Sequence, residues 1–184
     1  MSQYYLIAQL PGLEPYEDGK SPLPITEKEF RDACSSFLSE KELEILDGIS
    51  LIPPRDVQPT GSELVDAWNR EERELRLALA VARASHKGKT FFADGEVISA
   101  PALQTANTAV DLGDPLAAEE YLQSCRMETL DRLRPMDMFC EDAVYCYAIR
   151  LKLLTRMRLF DEERGHTSYQ NIYHSILNGN SQEN

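Results

Sequence analysis

The stretch Ser62-Glu63-Leu64-Val65-Asp66-Ala67-Trp68-Asn69-Arg70-Glu71-Glu72-Arg73-Glu74-Leu75-Arg76-Leu77-Ala78-Leu79-Ala80-Val81-Ala82-Arg83-Ala84-Ser85 decides the fold class. Leu64, Trp68, Leu75, Leu79 and Ala82 recur at sums of three and four, the period of one face of an α-helix. Neither Gly nor Pro interrupts the run, and Lys87-Gly88-Lys89 follows with a cation and a helix-stopping Gly. Glu72 falls inside the apolar stripe, so this face is expected to be buried only in part. Phe139, Ala143, Cys146, Ile149, Leu153, Met157 and Phe160 repeat the same spacing. They predict a rod from Met136 to Glu163, about 40 Å long at 1.5 Å per residue.

Shorter signals surround these two helices. Thr26-Glu27-Lys28-Glu29 and Ser39-Glu40-Lys41-Glu42 are capping boxes, in which hydroxyl and carboxylate satisfy the orphan N–H groups of a helix start. Asp114-Pro115 is an N-cap followed by a proline at the first helical position, opening a helix to about Leu133, and a modest helix precedes it over Pro101 to Leu112. Pro11, Pro15, Pro22 and Pro24 mark an extended connector. Tyr4 to Leu10 suits an edge strand or the first turns of a helix, and Phe91 to Ile98, with Asp94-Gly95, suits a tight hairpin or a loop. A last short helix is expected over Ser168 to Leu177, then a polar tail. The expected architecture is all-α: a somewhat elongated helical bundle with two long helices and at most one short N-terminal strand or hairpin. It is read as one domain over 1–184, with a connector and short helices to 60, the main body over 61–177 and the tail over 178–184.

The 184 residues carry 19 Lys and Arg against 31 Asp and Glu, a formal charge of −12. That sign disfavours nucleic acid and anionic membrane, which need clustered cations. No apolar run reaches the ~18 residues of a spanning helix, so no direct membrane insertion is expected. The excess is uneven. Residues 14–56 hold 11 acids and 5 bases, whereas 126–164 balance at 8 and 8. Between Ala143 and Phe160 there is no acid at all, only Arg150, Lys152, Arg156 and Arg158. Such a stripe either pairs with acids of neighbouring helices or docks an acidic partner.

Signals for chemistry are weak. The four cysteines have no CxxC spacing and sit on apolar helix faces, where inert burial is the default. No GxSxG elbow and no phosphate-binding Gly loop occurs. Glu163-Arg164-Gly165-His166 matches the Glu-x-x-His spacing of di-iron bundles, but no second copy exists. No cofactor, no metal and no catalytic residue is expected, and an enzyme would have to rest on scattered carboxylates.

Two helical stretches carry a resemblance. Trp68 to Ala84, with an aromatic before a charged turn, then Leu75-Arg76 and Arg83-Ala84, is similar to a helix of the central-stalk C/d subunit of V-type and archaeal-type ATP synthases. Phe139 to Lys152, with its Tyr147-Ala148-Ile149-Arg150-Leu151-Lys152 rhythm, is similar to another helix of that family. The opening Ser2-Gln3-Tyr4-Tyr5-Leu6-Ile7-Ala8-Gln9-Leu10-Pro11 resembles a small bacterial family encoded beside V-type ATP synthase subunits. The resemblance implies a non-catalytic, cytoplasmic accessory or stalk component, peripheral at the inner membrane, that contacts the rotor ring or central shaft. Trp68, Arg76, Arg83, Arg150, Lys152, Arg156 and Arg158 are the expected partner-binding residues. A helical adaptor unrelated to ATPases is the alternative, with a carboxylate-based helical enzyme behind it. The C/d subunit has three similar lobes, and this chain shows no repeat, so an adaptor or assembly role fits as well as a rotor socket.

Overall fold

The computed structural model describes residues 2–17, 21–55, 58–93 and 95–160. Seven α-helices occur among them: α1 (Ser2–Gln9), α2 (Glu27–Cys34), α3 (Glu40–Gly48), α4 (Glu63–His86), α5 (Ala100–Asp111), α6 (Pro115–Leu133) and α7 (Glu141–Met157). A single 3-10 turn spans Glu14–Tyr16. The described residues contain no strand, so the protein is all-α.

Local chemistry sets most boundaries. Both capping boxes form. The Thr26 hydroxyl accepts from the Glu29 amide and the Ser39 hydroxyl from the Glu42 amide, while each Glu carboxylate accepts from its cap's N–H. Asp114 accepts from the Leu116 and Ala117 amides ahead of Pro115 at the first position of α6. Helix α4 stops at Gly88, whose φ of +65° suits a residue without a Cβ.

Two open alternatives resolve and one expectation changes. Tyr4 to Leu10 lies mostly in α1, not in a strand. The second long helix is shorter than the predicted rod. It begins at Glu141, because Asp137 turns the chain: its carboxylate accepts from the Phe139 amide, and its carbonyl accepts from the Cys140 thiol. It ends at Met157, so it spans about 25 Å rather than 40 Å. Between Phe91 and Ile98 the described residues form a loop with a turn from Ala93 to Glu96 and no strand pairing. Asp94 itself, Glu163-Arg164-Gly165-His166, the helix expected over Ser168 to Leu177 and the polar tail lie outside the described residues.

Two apolar clusters hold the helices together. In the larger one Leu6, Phe30, Cys34, Leu46 and the N-terminal half of α4 (Leu64, Val65, Trp68) close over Val144, Tyr145, Ile149, Leu151 and Leu153 of α7. The smaller joins Ala78, Leu79 and Ala82 of α4 to Ala106 and Ala109 of α5 and Leu122 of α6. Alanine on four of the facing positions, Ala78, Ala82, Ala106 and Ala109, lets α4 and α5 approach closely. Helix α7 is buried on most of its circumference, since α1, α2, α3, α4 and α6 all pack on it. Each fully buried Leu or Ile there contributes about 1.5–3 kcal/mol by leaving water.

Candidate functional site

The basic residues singled out on α7 are engaged with partners of the same chain. Arg150, 8% exposed, forks between Glu17 of the N-terminal connector and Asp131 of α6. Burial alone would lower its pKa, yet Asp131 and then Glu17 outweigh that and raise it, so the guanidinium stays charged. Lys152 pairs with Glu27 at 3.1 Å and Arg156 with Glu119 at 2.8 Å. Arg158 donates to the Tyr16 carbonyl at 2.8 Å and the Ser21 carbonyl at 2.7 Å. The acidic partners of the stripe are thus the chain's own, supplied equally by the N-terminal segment and α6. On α4, Arg76 donates to the Leu51 carbonyl at 2.9 Å, and Arg83 is exposed. Trp68 is 1% exposed, packed in the larger core with an indole N–H that has no hydrogen-bond partner in the chain. It anchors the fold and offers no surface to a partner in this conformation.

A run of alternating charges crosses the helix interfaces. Glu72, 3% exposed, accepts two bonds from Arg126, at 2.8 and 3.0 Å. Arg76 also approaches Glu72 at 2.8 Å. That contact is Coulombic rather than a hydrogen bond, because the N–H points off the line to the oxygen. Arg126 in turn lies 4.0 Å from Glu119, which pairs with Arg156, whose guanidinium sits 5.1 Å from the centre of the Phe160 ring. Contrary to the expectation that Glu72 leaves its face partly open, Arg126 neutralises it and the face closes.

One exposed apolar surface is aromatic. In α1, Leu6 points into the core and Tyr4 and Tyr5 point out, 51% and 62% exposed. Neighbouring residues of a helix lie about 100° apart, so two consecutive rings cannot both share the Leu6 side. Across from them, the turn at Asp137 presents Phe139, 47% exposed, and Met136, fully exposed. Tyr4 packs on Phe139 with ring centres 4.7 Å apart and edge-on against Tyr5 at 5.7 Å. One turn along α1, a cleft of about 180 Å³ opens between Ile7, Leu10, Met138 and Ala143.

Carboxylates border this surface. Gln3 donates to Glu42 at 3.0 Å, and Glu141 lies within hydrogen-bonding reach of the same carboxylate. Burial pushes the Glu42 carboxyl up, but bonds it accepts from the Ser39 hydroxyl and amide, from Gln3 and from Glu141 hold it below its ordinary range. Beneath them the Tyr145 hydroxyl donates to the Glu42 carbonyl at 3.3 Å, and burial together with Glu42, Glu141 and Asp142 raises its pKa. Asp137 completes the border; the nearby cations are Lys41 and Arg134, the latter donating to the Met138 sulfur at 3.2 Å. The consecutive aromatics at Tyr4-Tyr5 were the one signal in the sequence that could have marked this surface.

The thiols carry no sign of activation. Burial pushes Cys34 to about 12 and Cys146 to about 11. Among the described residues no group of three or more His, Cys, Asp or Glu is placed to hold a metal ion, and no helix is long and apolar enough to cross a membrane. Compared with protein-family models, curated proteins and solved structures, the chain matches none.

Proposed function

We propose that this protein is a non-catalytic accessory or central-stalk-like component of a V-type ATP synthase, acting at the cytoplasmic side through contacts with the rotor ring or central shaft. The attribution to an ATP synthase rests on the similarity of residues 2–11, 68–84 and 139–152 to proteins of that complex. The contact role is supported by one structural observation. Tyr4, Tyr5 and Phe139 form an exposed aromatic surface on a body in which the α7 cations Arg150, Lys152 and Arg156 are engaged in internal pairs. Exposed aromatic side chains gathered in one patch are the composition of a contact core, not of an ordinary surface. Charged pairs linking α4, α6 and α7 resist shear between helices, which suits a part that transmits or withstands force.

The test is affinity capture with the tagged full chain from native membranes, followed by identification of the bound proteins. Recovery of rotor-ring or shaft subunits, lost with Tyr5→Ser, is the expected result. Capture that yields no ATP synthase subunit would overturn the attribution and leave the helical adaptor reading in its place.

A further inference from the structure

We propose that the Tyr4–Tyr5–Phe139 surface docks a basic, amphipathic helical segment of a partner protein, with its apolar face on the rings and its Lys or Arg side chains over Glu42 and Glu141. This rests on the contact role proposed above and names the chemistry of what is contacted.

Shape and charge lead there separately. The rings supply flat apolar area at low conformational cost, and the adjoining cleft of about 180 Å³, apolar at Ile7, Leu10 and Met138 and edged by Glu14, Arg134 and Arg150, admits one aliphatic side chain. A patch beside a cleft, running one helical turn, matches side chains spaced at i and i+3 or i+4 on a helix. As for charge, Gln3 of α1 bonds Glu42, Glu141 is hydrogen-bonded to that carboxylate, and the Asp137 carboxylate accepts from the Phe139 amide, so three acids border the rings. The groups bonded to Glu42, Ser39 and Gln3, are neutral, so a cation arriving there displaces no other cation. The protein's own strongest cations are not free to take that place, because Arg150, Lys152 and Arg156 are engaged with Glu17, Asp131, Glu27 and Glu119. With a net charge of −12, the exterior as a whole favours a basic visitor.

The same charges argue against two other occupants. A second copy would set one acidic border against another, and an anionic bilayer would meet the carboxylates head-on.

The probe is a labelled helical peptide of Leu and Lys, compared with a Leu and Glu peptide of the same apolar pattern, titrated into the full chain by fluorescence anisotropy. The Lys peptide is expected to bind and to weaken with added salt. Tyr5→Ser and Phe139→Ser should each weaken it about tenfold, the usual loss for one aromatic anchor. Glu141→Gln should weaken it less and flatten the salt dependence, and Phe92→Ser, on an exposed loop, should leave it unchanged. Should Phe139→Ser misfold, Tyr5→Ser still decides, since that ring is 62% exposed. Equal binding of both peptides, or binding indifferent to Tyr5→Ser, overturns the proposal. So does a dimer in sedimentation that Tyr5→Ser abolishes, or sedimentation with phosphatidylglycerol vesicles in the absence of peptide binding. Failure to capture ATP synthase subunits alongside intact, Tyr5-dependent peptide binding removes the ATP synthase role and leaves the docking surface standing. Capture of those subunits without Tyr5 dependence does the reverse.

Discussion

Separating Glu72 from Arg126 is expected to cost more stability than removing both. The two are 3% and 5% exposed and joined by two bonds, at 2.8 and 3.0 Å, between α4 and α6. Removing one partner of a buried pair strands the other charge, at roughly 3–5 kcal/mol. The surroundings order the two single variants. In Arg126→Met, Glu72 keeps Arg76 at 2.8 Å, so the loss sits near about 3 kcal/mol. In Glu72→Leu, Arg126 keeps only Glu119 at 4.0 Å, already committed to Arg156, so the loss approaches about 5 kcal/mol. The double variant replaces both with apolar side chains and strands neither, so it should unfold later than either single. Urea unfolding followed by helical circular dichroism measures all four proteins, and an unchanged slope confirms that only stability moved. Arg126→Met should also lower Tm by about 6–12 °C, at 2–4 °C per kcal/mol for a chain of this size. Single losses below about 1 kcal/mol, or a double loss equal to the sum within about 0.5 kcal/mol, would refute the reasoning.

The remaining expectations concern the thiols, alkaline pH, a cap and the connector. In the native protein at neutral pH, Cys34 and Cys146 should not react with a disulfide reagent, since burial raises them to about 12 and about 11; denaturation should expose both. Those two thiols, and Tyr147 at about 12, stay protonated longer folded than unfolded. Their contribution is therefore intact below the unfolded thiol pKa near ~8.5 and is lost as pH rises towards about 11–12, so urea midpoints should fall steadily over that range. Ser39→Ala removes the cap of α3 and should cost about 1 kcal/mol in the same unfolding assay. Arg150→Met frees Glu17 and Asp131, which are exposed enough to rehydrate, so the loss is only about 1–2 kcal/mol, but amide exchange at Tyr16 should rise.

Helix starts were legible wherever a short-range rule governs them. The Thr26 and Ser39 boxes and the Asp114-Pro115 start each need only residues within four of one another, and all three form as their spacing predicts. The start of α7 was not legible in the same way. The spacing of Phe139, Ala143 and Cys146 continues a helical stripe without a break, yet Asp137 captures the Phe139 amide and delays the helix to Glu141. A local bond from an Asp side chain competes with the helix and leaves no trace in apolar periodicity. The destination of Arg150 was hidden for another reason. Its partner Glu17 is 133 residues away, and only the packed fold brings them together.

That long-range pairing reverses the sign of the partner. Read along the chain, a helix with four cations and no acid between Ala143 and Phe160 invites an acidic ligand. In the fold, that ligand is already supplied by Glu17, Glu27 and Glu119, and by the carbonyls of Tyr16 and Ser21. An external acidic segment would have to displace these groups, two of them carried on helices packed into the body, before gaining any pair of its own. At Glu42 the bonded groups, Ser39 and Gln3, are neutral, so a basic segment displaces no cation there. Reversing the charge of Lys152 or Arg156 should therefore lower stability before it changes any association, whereas neutralising Glu141 should change association at little cost to the fold. Measuring unfolding and binding on the same two variants separates these outcomes: binding lost at full stability in Arg156→Glu would return the stripe to the surface and refute the inward reading.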